Sequence, residues 1–145
     1  MERSGTVGVL RGNAPAKIDD KGRLKVPNAF RAVIQKNHGA ELFVTSLTGQ
    51  SVRIYPMPVW LEIEHRLAQV PSINPARQRF LDRVNFYGQV AELDPQGRVL
   101  IQPRLRESAL MNGESTCLAS RVFWKSGTTS DWSRVCRRNR LPTTT

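Results

Sequence analysis

Two five-residue stretches hold the side chains whose types and spacing best suit chemistry: Asp19-Asp20-Lys21-Gly22-Arg23 and Asp94-Pro95-Gln96-Gly97-Arg98. In each, a carboxylate precedes an arginine by four positions and a glycine stands directly before the arginine. Such a set supplies no nucleophile. It supplies a turn that a carboxylate can close, and an arginine whose planar fork can grip a phosphate or guanine O6 and N7 together. Lys17, Lys21 and Lys25 crowd Arg23, whereas the matching places around Arg98 hold Glu92, Gln96 and Leu100. Lys17, Lys21, Arg23, Lys25 and Arg98 are therefore the candidate anion contacts, and the first stretch is expected to contribute more. Asp19, Gly22, Asp94 and Gly97 are read as turn residues. The simpler alternative is that each Asp–Arg pair only closes its turn and that the lysines form a solvated face.

Other chemistry finds little support. His38 falls in a loop and His65 on an amphipathic helix, and neither has a nucleophile or a carboxylate at suggestive spacing. Cys117 and Cys136 lack the spacing of a zinc site or a disulfide framework. No glycine-rich phosphate loop occurs. No catalytic residue, metal, cofactor or small-molecule substrate is expected, and the chain does not read as an enzyme.

The two stretches belong to an internal repeat. Residues 16–31, AKIDDKGRLKVPNAFR, align with residues 91–106, AELDPQGRVLIQPRLR, at a constant offset of 75. Ala16, Asp19, Gly22, Arg23 and Arg31 recur identically as Ala91, Asp94, Gly97, Arg98 and Arg106. Apolar character is kept at Ile18/Leu93, Leu24/Val99, Val26/Ile101 and Phe30/Leu105. Each copy reads as a strand, a turn and a second strand. Asp caps the turn, Pro95 presets φ in one copy, and Gly accepts positive φ. Pro27 and Pro103 stop the second strands, and N-A-F-R and P-R-L-R read as single helical turns.

A hairpin is expected over Glu41–Thr45 and Ser51–Tyr55, turning near Gly49. Two helices then separate the copies. The first covers about 58–69, with Pro58 at its start and Trp60, Ile63 and Leu67 on one face. The second covers about 75–84, with Asn74 as N-cap and Pro75 at its first position. Arg77, Arg79 and Arg83 on it are read as solvent-facing or as subunit contacts.

The chain has 145 residues, 39% of them hydrophobic, which suffices for one compact domain or two small halves. No run of 18 apolar residues exists, and MERSGTVGVLRGN has no apolar core of a secretory signal, so a cytoplasmic protein is expected. The net charge of +10 invites an anionic partner. Residues 115–145, however, carry six cations against Asp131 alone, leaving 16 cations and 11 carboxylates for the other 114 residues. Half of the excess therefore lies in the tail.

The doubled D-x-x-G-R after a strand, with a helix pair between the copies, resembles the MraZ family. Leu10-Arg11-Gly12, Y-P-x-P-x-W at Tyr55–Trp60 and S-x-N-P-A at Ser72–Ala76 are also similar to it, and the likeness spans about residues 9–114. It implies a mixed α+β, mainly β fold: two pseudo-repeated AbrB-like swapped-hairpin halves forming a small barrel, with two intervening helices. Residues 9–56 would be the first half, 57–84 the helical connection and 85–114 a truncated second half. It also implies a bacterial repressor of the division and cell-wall gene cluster. Such a protein binds short direct repeats in promoter DNA, assembles as a homo-oligomeric ring, and is nucleoid-associated without a membrane partner. The D-x-x-x-R elements, here Asp19/Arg23 and Asp94/Arg98, would mark the DNA surface. A β-hairpin is narrow enough to enter a major groove.

After Gly113-Glu114 the family pattern stops. The tail shows no period of 2 or 3.6. Read from one base earlier, with wobble bases chosen freely, it restores a hairpin pattern and then an amphipathic helix. Residues 115–145 are therefore expected to be out of frame, leaving Val99, Ile101 and Leu105 without partners. Residues 1–8 would precede a start at Val9. Two alternatives stay open: an oligomeric scaffold or inactive regulator with a damaged second half, and an AbrB-like antitoxin.

Overall fold

The structure, a computed structural model, describes residues 10–37, 39–111, 113–119 and 124–127, together with Arg137. Expectations about residues 1–8, the start at Val9, His38, Cys136 and the rest of the chain after Gly127 other than Arg137 lie outside the described residues.

The first pass of the chain makes β1 (Asn13–Ile18), β2 (Arg23–Lys25), α1 (Asn28–Asn37), β3 (Glu41–Thr45) and β4 (Val52–Pro56). Then come α2 (Met57–Ala68) and α3 (Pro75–Phe86). The second pass repeats the order as β5 (Gln89–Glu92), β6 (Arg98–Leu100), α4 (Pro103–Ser108), β7 (Gly113–Ala119) and β8 (Trp124–Gly127). Asn74 caps α3, its side chain accepting from Ala76 N at 2.9 Å and Arg77 N at 3.3 Å. One expected helical turn proves longer: α1 runs ten residues, because burial of Phe30 and Ile34, four apart on one face, extends the helix past Arg31.

Among the described residues the strands form one antiparallel, eight-stranded sheet in the order β5-β3-β4-β8-β7-β1-β2-β6. It is a mixed helix and strand fold, but the expected small barrel is not closed. Closure would need a ladder between the end strands β5 and β6. Among the described residues they meet only at their turn, where Asp94 N donates to Arg98 O at 2.9 Å. Beyond it the chain before the turn follows β3, with Leu93 N on Ala40 O at 2.8 Å, and the chain after it follows β2, with Ile101 N on Gly22 O at 2.8 Å. Pairing crosses between the passes: β1 with β7, β2 with β6, β3 with β5, and β4 with β8.

Each apolar pair of the sequence repeat is buried, from Ile18 and Leu93 to Phe30 and Leu105, in one core that both passes line. Fully burying such a side chain is worth about 1.5–3 kcal/mol. A second cluster lies under the helix pair. Trp60 stacks on Phe43 with ring centroids 4.5 Å apart and meets Tyr55 at 5.0 Å, while Phe80 and Val84 bring α3 onto it. Trp60 Nε1 keeps a partner, donating to Glu64 Oε2 at 3.0 Å.

The sheet does not stop at residue 114, and Val99, Ile101 and Leu105 do not lose their cover: all three are wholly buried. Strand β7 pairs with β1 over six residues, and β8 pairs with β4 over three. Trp124 and Ser126 face inward while Lys125 is half-buried, a period of 2 within a strand of four residues. Trp124 is wholly buried, 6.2 Å from the Phe30 ring. Cys117 is also buried, its Sγ 3.0 Å from Ser126 Oγ, and desolvation pushes the thiol up to about 11.

Candidate nucleic-acid interface

Each Asp-to-Arg turn is closed by the same set of hydrogen bonds. Asp19 Oδ1 accepts from Lys21 N at 3.0 Å and Arg23 N at 2.8 Å, and Asp19 Oδ2 accepts from Arg23 Nε at 2.8 Å. Asp94 repeats this with Gln96 N at 2.9 Å, Arg98 N at 2.8 Å and Arg98 Nε at 3.0 Å. Gly22 N and Gly97 N donate back to the carbonyls of Asp19 and Asp94. The glycines take φ of +87° and +79°, which a side chain would strain. The Arg23 backbone N–H is the largest influence holding the Asp19 carboxyl below the usual carboxylate range, against some desolvation; the Arg98 N–H does the same for Asp94. The carboxylates therefore stay ionised and close their turns.

Strands β2 and β6 lie side by side between the turns, with Leu24 opposite Val99, Arg23 opposite Leu100 and Lys25 opposite Arg98. Because side chains alternate, Leu24 and Val99 point into the core while Arg23, Lys25, Arg98 and Leu100 share the outer face. Their backbones interlock reciprocally: Val26 N donates to Gly97 O at 2.9 Å, and Ile101 N to Gly22 O at 2.8 Å. The turns thus form one platform that neither pass of the chain could build alone.

All five candidate contacts belong to this platform or its rim. Lys21 is exposed at the tip of the first turn. Arg23 and Arg98 are half-buried, their side chains 33% and 27% exposed. Each spends Nε on its Asp, and the terminal amino groups make no hydrogen bond among the described residues. Lys25 is exposed and donates to the carbonyl of Gln96, so it helps hold the second turn as well as adding charge. Lys17 is exposed on β1, where the Ile18–Leu24 register sets it beside Lys25 on the outer face. Arg77, by contrast, donates Nε to Leu67 O at 3.0 Å and ties α3 to the end of α2. Arg79 and Arg83 are exposed on α3.

Two functional-site neighbours escaped the sequence reading. A Cβ on Gly22 would lie 2.6 Å from Arg106 Nε, and one on Gly97 would lie 2.8 Å from Arg31 Cδ. The helix after each strand thus lays its arginine over the other copy's glycine. The identity of Arg31 and Arg106 across the offset of 75 was the available signal. Among the described residues no cluster of His, Cys, Asp and Glu could hold a metal ion, and no helix is long and apolar enough to cross a membrane.

Residues 9–83 match the family described as "MraZ protein, putative antitoxin-like". A protein of Acidobacterium capsulatum named transcriptional regulator MraZ is 49% identical over 106 residues, 73% of each chain. A Koribacter versatilis protein of the same name is 50% identical over 107 residues, again 73% of each. One from Nitrosospira multiformis is 33% identical over 127 residues, 86% of this chain and 85% of its own.

Proposed function

The chain belongs to the MraZ family, and from that premise we propose that it is a transcriptional regulator that grips double-stranded DNA with the outer face of the two-turn platform. It is not an enzyme. The observation that carries the reading is the row of Arg23, Lys25 and Arg98 on a two-stranded ribbon. Paired strands lie roughly 4.8 Å apart, so the ribbon with its side chains fits a major groove about 12 Å wide. The arginines' terminal amino groups then face base edges or phosphates. Lys17, Lys21 and Lys25 supply attraction to the backbone without reading sequence.

The finer reading rests on the family resemblance. The targets are short direct repeats in the promoter of the division and cell-wall gene cluster, and the effect there is repression. Each half is completed by strands of the other in the swapped-hairpin manner, which the crossed pairings of β1 with β7 and β3 with β5 support. Subunits join in a ring, so that several platforms meet several repeats at once and gain affinity by linkage. The protein works at the nucleoid.

A mobility-shift titration tests this, using the duplex immediately upstream of the chain's own gene and a random-sequence duplex of equal length. The upstream duplex should bind more tightly by roughly 10³-fold or more at physiological salt. Equal affinity for the two duplexes, or no binding to either, overturns the proposal.

A further inference from the structure

We infer that Arg31 and Arg106 are positioning residues for the platform, each fixing the turn that belongs to the other copy of the repeat. Arg31, on α1, reaches across to the second turn: its Nη2 donates to Pro95 O at 2.8 Å, and its Cδ, Nη1 and Cζ would lie 2.8–3.0 Å from a Cβ on Gly97. Arg106, on α4, lies the same way over Gly22, its Nε and Cζ 2.6 and 2.7 Å from where a Cβ would stand. Arg106 Nε donates to Ile101 O at 3.0 Å, and Ile101 N donates to Gly22 O at 2.8 Å. Both guanidiniums therefore fill the room that a missing side chain leaves, on the inner side of a turn whose outer end carries Arg23 or Arg98.

The consequence concerns geometry rather than charge. Arg23 and Arg98 stand one position after the covered glycines, and their own hydrogen bonds are to the Asp of the same turn. Nothing in the turn itself fixes where it sits relative to the other. The crossed arginines add to what the β2–β6 ladder, the paired amides of Val26 and Ile101 and, at the second turn, Lys25 already hold. An arginine that reads DNA must be held to a fraction of an ångström, and that requires a supporting shell. The purpose of this arrangement rests on the DNA-binding reading above; the arrangement itself does not.

The test uses the full chain and the variants Arg31→Met and Arg106→Met, with Arg31→Lys and Arg106→Lys as conservative partners. Amide shifts of Gly22, Lys21, Gln96 and Gly97 are read by NMR, and affinity is read with the upstream duplex. Arg31→Met should move Gln96 and Gly97 and spare Gly22, whereas Arg106→Met should move Gly22 and Lys21 and spare Gly97. A merely structural loss would lower the melting temperature without sorting the turns in this crossed way. Each Met variant should bind the duplex about tenfold more weakly, and the Arg31→Lys variant, which can still reach Pro95 O, should recover part of the loss. If a Met variant fails to fold, the Lys variant supplies the same crossed signature at smaller amplitude. Shifts confined to the arginine's own copy, or equal at both glycines, overturn the positioning role, as does undiminished DNA affinity when the crossed shifts are present. Crossed shifts in a protein whose wild type ignores DNA would sink the DNA reading and leave the positioning intact.

Discussion

The turn at Asp19 and the turn at Asp94 have the same backbone, with paired hydrogen bonds agreeing within 0.2 Å, yet they are held differently. The second turn has three successive carbonyls engaged by the first copy: Pro95 by Arg31, Gln96 by Lys25 and Gly97 by Val26 N. In the first turn only the Gly22 carbonyl is engaged, by Ile101 N, and among the described residues those of Asp20 and Lys21 take no such partner. The difference traces to a few side chains. Lys25 can reach a carbonyl, while its counterpart Leu100 cannot; Lys21 adds charge at one tip, while Gln96 leaves the other neutral. A duplicated motif can therefore keep one local geometry while its copies separate into a charged, lightly held turn and a neutral, clamped one.

The harshest way to probe this comparison is to add a methyl group at the glycines. Gly22→Ala and Gly97→Ala should each cost about 1–3 kcal/mol through positive φ and the crowding of Arg106 or Arg31. Chemical unfolding should give losses of similar size. A tolerated change at either glycine would show that the crossed covers are unequal.

Arg23→Ala should weaken specific DNA binding by ~1–3 kcal/mol in a folded protein, and Arg98→Ala should cost less. Titration against the upstream duplex checks both. Equal losses would break the division of labour proposed for the two turns, and no loss with Arg23→Ala would remove the first turn from the interface.

Charge can be restored to the neutral turn. With three or four first-turn cations on phosphate, log K should fall with log salt at a slope of roughly −3 per engaged subunit. Gln96→Lys should steepen the slope by about 0.9 if the second turn lies against the DNA backbone. An unchanged slope would place the second tip away from phosphate.

The gentlest probe is acid. A carboxyl whose folded pKa is depressed stabilises its turn above its unfolded pKa, and the contribution fades as pH falls through the folded value. Asp19 and Asp94 are both lowered, each chiefly by the N–H of its arginine. The amide signals of Lys21 and Gln96 should therefore move together, at a lower pH than an unperturbed Asp would give. Separate transitions would mean that the turns differ in their own chemistry as well as in how they are held.

Much of the site was legible in the sequence because its determinants are local. Asp, Gly and Arg at fixed offsets define a turn, and Asn74-Pro75 defines a helix start, without reference to anything distant. The failures came where distant packing decides. Whether β5 and β6 share a ladder depends on which neighbour each follows, and no local pattern encodes that. Helix α1 outran its single turn because the core takes up Ile34. Strand β8 was missed because four residues are too few to display a period, and Trp124 alone supplies most of its apolar signal. Arg31 and Arg106 were visible as a repeated identity, but the glycines they cover lie 66 and 84 positions away along the chain.

The crossed pairing also sets a timetable for the protein's birth. Asn13 of β1 faces Leu118 of β7, a separation of 105 positions. At about 5–20 residues per second, a ribosome needs roughly 5–20 s to deliver that partner. Until then β1 lacks its β7 partner, although β2 already has β1 beside it and gains β6 once residue 100 is made. A chain ended before β6 therefore carries the first turn without its platform. The two-turn platform is complete only when β6, from the last third of the polypeptide, pairs with β2.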